Sequence, residues 1–279
     1  MFGSLEGLLA TIAGTACAAA GVPAGTEPEG LAAFYRRLGE VDAALAAADR
    51  RLVLAIDEYE NIDAKIGEGV FPRDLLATFR ESVQSHRRIV WLFAGSHAIE
   101  ELAADWSSAF VSLRTVEVTP FSEAETRLLL TEPVRYSALW AEGDPRRPRF
   151  APGFWGEGGI ERVHAETAGW PHLVQLVAET VVELVNLRGL KEASPGLLDE
   201  ALAKTVVRGD VVLRQLVRNE CGVEGEWAYL EGFREAEVQR VPTDEPVRRS
   251  LRRRLLVEEA DGGWRMRVPL MRRWLIARG

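Results

Sequence analysis

The sequence predicts an α/β fold, a partial parallel sheet with helices followed by a helical segment and a C-terminal winged-helix layout. Three observations point there. Two short unbroken apolar runs, LVLAI (52–56) and IVWLFA (89–94), have the length and composition of strands buried on both faces. An amphipathic segment long enough for a crossover lies between them. Beyond residue 120 the periodicity turns helical until a hairpin signal near the end.

Taken in order, residues 4–20 read as a weak, Ala/Gly-rich helix. Residues 31–48 read as a second, with Leu31, Phe34, Leu38, Val41 and Leu45 on one face, feeding the first strand. Residues 71–86 form the crossover helix: Pro72 suits its first turn, and Leu75, Leu76, Phe79 and Val83 share a face. Strand, helix and strand make a βαβ unit, expected to be right-handed. A third strand is expected over 115–119, stopped by Pro120. Ser122 and Glu125 form a capping box that opens a helix. Residues 141–159, rich in Gly, Pro and Arg, read as a loop. Helices follow at 160–168, at 172–188 closed by Gly189, and at 195–206 with Ser194 as cap and Pro195 in the first position. Helical patterns near 211–219, 225–236 and 244–254 then lead to Leu255-Leu256-Val257, an Asp261-Gly262-Gly263 turn and a strand over 264–268. The division this suggests is a sheet-bearing part over 1–134, a helical lid over 135–206 and a winged helix over 207–279.

Composition sets the bounds. The chain has 279 residues, 47% of them hydrophobic, enough for two or three compact units with real cores. Its net charge of −8 argues against nucleic-acid coating by the whole chain. The charge is uneven: residues 240–279 hold eleven Arg against five acids, a net +6, leaving −14 on the rest. Cys17 and Cys221 stand far apart, and His86, His97, His164 and His172 stand singly. Neither a disulfide framework nor a zinc site is expected, and a reducing cytoplasm is the default. The uncharged stretch 8–24 lacks a preceding basic residue, carries Glu6 instead, and is short and weakly apolar. It reads as a packed helix rather than a signal or anchor.

The segment RLVLAIDEYE (51–60) carries the most specific chemistry. An apolar strand delivers adjacent carboxylates, Asp57 and Glu58, to its carboxyl end, the edge where ligands bind in open α/β sheets. Such a pair suits a metal ion on the first acid and a water oriented or deprotonated by the second. The plainer reading is a solvated strand end. The second strand ends in Gly95-Ser96, where a small hydroxyl could touch a phosphate or that water, or simply make a turn. Gly169-Trp170-Pro171-His172 is a junction that could present backbone to a nucleotide, or merely break a helix.

The runs LVLAIDEYE, FAGS, PFSEAETRLLLTEPV, AGWPHLVQLVAE and RMRVPLMRRWL, taken in this order across most of residues 50–279, resemble the successive motifs of STAND-class ATPases. These are AAA-like P-loop NTPases that act as signalling switches. The resemblance implies ATP and Mg²⁺ as ligands. It makes Asp57 the Walker B metal residue, Glu58 the catalytic acid, Ser96 the sensor-1 position, and Gly169 with Pro171 the Gly-x-Pro motif of the lid. One departure is plain. A phosphate loop needs GxxxxGK[ST], yet the three lysines, Lys65, Lys191 and Lys204, never follow Gly and precede Ser or Thr in that pattern. GVPAGT (21–26) has glycines but no Lys. The chain is therefore expected to lack Walker A and, alone, to be inactive.

Arg248, Arg249, Arg252 and Arg253 fall where a winged helix places its recognition helix. They point either to DNA or to an interdomain face within the protein. The expected function is an ATP-driven signalling or regulatory switch with a protein partner or effector. The alternative is a non-catalytic winged-helix regulator, binding DNA or protein, on a degenerate ATPase core.

Overall fold

The computed structural model describes residues 3–23, 25–97, 99, 102–110, 113–141, 143–219 and 221–278. The chain forms two compact units, Met1–Val116 and Glu117–Gly279. It is a mixed α/β protein, mostly helical, with one small parallel sheet. No helix among the described residues is long and apolar enough to cross a membrane.

In the first unit, α1 (Leu5–Ala20) starts at Ser4, whose Oγ accepts the Gly7 N–H at 3.1 Å. It ends at Gly21, where a φ of 73° suits glycine. Ala13, Ala16 and Cys17 are buried, and such small side chains allow close packing on α2 (Gly30–Ala47), which buries Phe34, Leu38, Val41 and Leu45. Strands β1 (Leu52–Ile56) and β2 (Ile89–Phe93) pair in parallel, Leu52 opposite Ile89 and Ile56 opposite Phe93. The crossover contains α3 (Glu60–Gly67) and α4 (Asp74–Ser85). Phe79 of α4 is fully buried, its ring 5.1 Å from Trp91 and 6.1 Å from Phe93. α5 (Ala104–Ala109) adds the buried Trp106. The core holds one polar knot: Trp91 Nε1 donates to Ser82 Oγ at 3.0 Å, and that oxygen also bonds His86 Nδ1 at 2.9 Å. Burial holds the His86 imidazole below its ordinary pKa, so the ring sits in the core as a neutral partner.

Two expectations fail here. The strands are not buried on both faces. Leu54, Ile89 and Trp91 are buried, but Val53 is 59% exposed, Val90 45% and Leu92 52%. Those three side chains lie on the other face of the pleat, which no helix among the described residues covers. An apolar run reports that a strand is suited to double burial; it cannot report whether the covering element is present. Nor do residues 115–119 join the sheet: they are extended without ladder partners, with Val116 75% and Val118 93% exposed. The segment straddles the boundary between the two units, Val116 to Glu117, and pairs with neither β1 nor β2 among the described residues.

The second unit opens with α6 (Glu123–Thr131), whose capping box is complete. Residues 132–158 form turns pinned by Trp155, whose Nε1 donates to the Leu130 carbonyl at 2.8 Å. α7 (Gly159–Thr167), α8 (Pro171–Leu187) and α9 (Pro195–Arg208) follow. α10 (Asp210–Arg214) runs into a π turn, and α11 (Glu226–Glu231) into a 3₁₀ turn. After them come β3 (Val238–Gln239), α12 (Glu245–Arg253), β4 (Val257–Ala260), β5 (Gly263–Met266) and α13 (Pro269–Ala277). The three strands form an antiparallel sheet in the order β3-β5-β4. The β4–β5 turn uses Gly262 at φ 86°, as its Asp-Gly sequence demands. One hydrophobic cluster runs from Leu130 through Val177 and Leu202 to Trp274, so all these helices share a core. Inside it, Glu226 is fully buried and paired with Arg254, which also donates to the Leu216 carbonyl at 2.5 Å. Ser250 Oγ supplies a further bond to Glu226 at 3.1 Å. Breaking such a pair from one side strands a buried charge, at a cost of about 3–5 kcal/mol.

Candidate functional site

Parallel register brings two strand ends to one edge. Because Ile56 lies opposite Phe93, Asp57-Glu58 and Gly95-Ser96 emerge side by side, tied by Ala94 N–H to the Ile56 carbonyl (2.8 Å) and Tyr59 N–H to the Ala94 carbonyl (3.2 Å). Asp57 and Glu58 are exposed. Asp57 Oδ1 accepts the Glu58 N–H at 3.0 Å, while Oδ2 has no partner among the described residues. Glu58 adopts φ 54°, the left-handed region that side-chain-bearing residues enter at a cost of about 1–3 kcal/mol. Asn61 Nδ2 donates to its Oε2 at 3.0 Å.

Ser96 is held by a residue that the sequence reading passed over. Glu60 Oε1 accepts both the Ser96 N–H (3.0 Å) and the Ser96 hydroxyl (2.8 Å). Having donated to Glu60, that hydroxyl accepts from His97 Nδ1 at 3.0 Å. Tyr59, buried beneath, donates its hydroxyl to the His97 carbonyl. Burial pushes the Glu60 carboxyl up, but the backbone and hydroxyl bonds from Ser96 outweigh it and leave the pKa below the ordinary value. Among the described residues no hydrogen bond links Ser96 to Asp57 or Glu58. A Cβ on Gly95 would fall 2.1 Å from Glu60 Oε2 and 2.8 Å from the Tyr59 ring, so the close approach of these two side chains calls for glycine there.

Among the described residues no group of three or more His, Cys, Asp or Glu side chains is arranged to hold a metal. Asp57 alone, with Oδ2 open, still suits Mg²⁺, which commonly takes one or two carboxylates and completes its shell with water and phosphate.

The other sequence-selected residues lie in the second unit. Gly169, at φ 72°, accepts the Phe121 N–H on its carbonyl at 2.8 Å, and a Cβ on it would sit 2.0 Å from the Phe121 carbonyl oxygen. Pro171 is the first residue of α8. Close backbone approach and helix initiation account for both residues locally. On α12, Glu245 pairs with Arg248 (Nε at 2.9 Å) and Arg249 (4.0 Å). Arg252 reaches Glu259 at 2.9 Å and lies over the Trp264 ring at 5.1 Å. Burial, then the neighbouring Arg254 charge, lowers the pKa of Arg253.

No protein-family model matches this chain, and no curated protein matches it. Among solved structures it is similar to a Walker-type ATPase of Pyrococcus abyssi: TM-score 0.59, 14% identity, alignment over 98% of this chain and 79% of the other. At that identity the likeness establishes a shared P-loop ATPase-like fold.

Proposed function

We propose that the chain is the metal-and-water side of a STAND-type nucleotide switch, with ATP and Mg²⁺ as ligands and a phosphate loop supplied from outside these residues. The observation that carries this reading is the shared edge on which β1 delivers Asp57-Glu58 and β2 delivers Gly95-Ser96. Asp57 would hold the metal, which neutralises charge on the transferred phosphate. Glu58 orients and deprotonates the attacking water, its strained backbone setting the direction of its carboxylate. The Ser96 hydroxyl, donated to Glu60 in this structure, would turn from it to meet the terminal phosphate or the water. The uncovered apolar face of Val53, Val90 and Leu92 supports a missing covering element, because an exposed apolar sheet face is a liability in a complete doubly covered sheet.

In this reading α7 to α9 act as the lid, with Gly169 and Pro171 at its nucleotide-facing junction. α10 to α13 with their antiparallel sheet act as a winged helix that nucleotide holds closed. Arg248, Arg249, Arg252 and Arg253 serve the switch itself rather than DNA, a reading supported by the charge split of +6 on residues 240–279 against −14 on the rest. The test is a chain completed with a GxxxxGK[ST] segment. Glu58→Gln should keep ATP binding and lose about 10²–10⁴ in hydrolysis rate. Unchanged turnover would remove Glu58 from the mechanism.

A further inference from the structure

The second unit contains a cavity of about 930 Å³, walled by residues 119–122, by α7 and by the β5–α13 connection. Its volume is that of a small-molecule site. Most charges facing it are already spent. Glu125 accepts both the N–H and the hydroxyl of Ser122, each at 2.8 Å. Glu258 takes Arg265 at 2.6 Å, and Arg273 is forked onto Glu166 at 2.6 and 2.9 Å.

Two guanidinium groups remain. Arg267 is half-buried, and its side chain has no hydrogen-bond or ion-pair partner among the described residues. Arg272, also half-buried, gives only its Nε, to the Phe233 carbonyl at 3.1 Å, leaving both terminal nitrogens open. Glu237, the one carboxylate in the lining without a described partner, is exposed. Withdrawing an arginine from water without an anion costs free energy that packing alone does not return. A phosphate oxygen pair matches the guanidinium fork and restores it. The first turn of α13, at Pro269, opens on the same cavity and adds positive potential, whereas that of α6 is already capped by Glu125. Phe121, Met266 and Ile276 supply apolar wall for an organic moiety.

We propose that this cavity binds a small phosphate-bearing ligand through Arg267 and Arg272. The inference goes beyond the proposed ATPase role, whose Asp57, Glu58 and Ser96 lie in the other unit, and it does not depend on that role. Two sources share the chemistry: a nucleotide, or a phosphorylated small molecule without a base.

The test is calorimetric titration of the whole chain with inorganic pyrophosphate in the absence of divalent metal. Saturable one-to-one binding is expected. Arg267→Gln should weaken it by about tenfold or more, as loss of a charge-assisted bond does. Arg267→Lys should retain part of the affinity, and Arg249→Gln, on α12, should leave it unchanged. Circular dichroism of each variant establishes that it is folded. Repeating the titration with ADP and with ribose 5-phosphate, still without divalent metal, separates the sources. Tighter binding of ADP assigns a nucleotide, and tighter binding of the sugar phosphate assigns a ligand without a base. Absence of saturable pyrophosphate binding, or equal binding by folded Arg267→Gln, would overturn the proposal.

Discussion

Glu60 is where a single side chain decides the shape of the candidate site. Its Oε1 takes two bonds from Ser96, and its Oε2 is buried without a partner. The folded-state pKa lies below the ordinary value of 4.5, so the carboxylate form is the one the fold favours. Its contribution is therefore fully present above the unfolded pKa and is lost as pH falls through the lowered folded pKa. Glu60→Gln should cost about 1 kcal/mol at pH 7, the scale of a net hydrogen bond, and progressively less below pH 4.5, read by urea unfolding across that range. A cost that persists undiminished in acid would mean that packing against Tyr59, not charge, sets the role of Glu60. Asp57, Glu58 and Ser96 were legible in the sequence because strand ends and carboxylate pairs announce themselves locally. Glu60 was not, because its partner lies 36 residues away and only the folded register brings them together.

At the scale of elements, legibility followed how local each cause is. β1, β2, α2, α4, α8 and α9 appear where apolar periodicity and caps put them, since both signals are written within a dozen residues. The strand over 115–119 failed because pairing is not local: the segment spans the boundary between the two units and meets no ladder partner among the described residues. α13 was missed because RMRVPLM continues the alternation of β5 up to Pro269, which then starts a helix instead of ending a strand. That helix is anchored through Asp210 at the start of α10. Its carboxylate accepts from Trp274 Nε1 at 2.9 Å, from Arg278 Nε at 2.7 Å and from Arg214. The Trp274 bond foremost, then those from Arg278 and Arg214, bring its pKa down to about 2. A depressed carboxylate stabilises the fold above its unfolded pKa and loses that contribution as pH falls toward 2. Asp210→Asn should therefore lower the thermal midpoint at pH 7, with the gap to wild type closing between about pH 4 and pH 2. A gap constant with pH would show that the carboxylate charge does not hold α13.

At the scale of the molecule, two units with separate cores divide the expected chemistry. The first carries acids and a hydroxyl on an exposed strand edge; the second carries the Gly-x-Pro junction and the arginine-rich end. The sequence disclosed that inventory and the missing phosphate loop. It could not disclose the bare apolar face of the sheet, which is a property of what fails to pack there. Both facts bear on one claim: that these residues supply the metal and water side of an ATPase site while the phosphate side must come from elsewhere. Backbone amides and a lysine of a phosphate loop provide most of the grip on a triphosphate. The most direct measurement is calorimetric titration of Mg-ATP into the 279-residue chain and into the same chain completed with a GxxxxGK[ST] segment. The account predicts no micromolar binding by the chain alone and micromolar binding once the loop is present. Micromolar binding by the chain alone that survives Arg267→Gln, or none after completion, would contradict it.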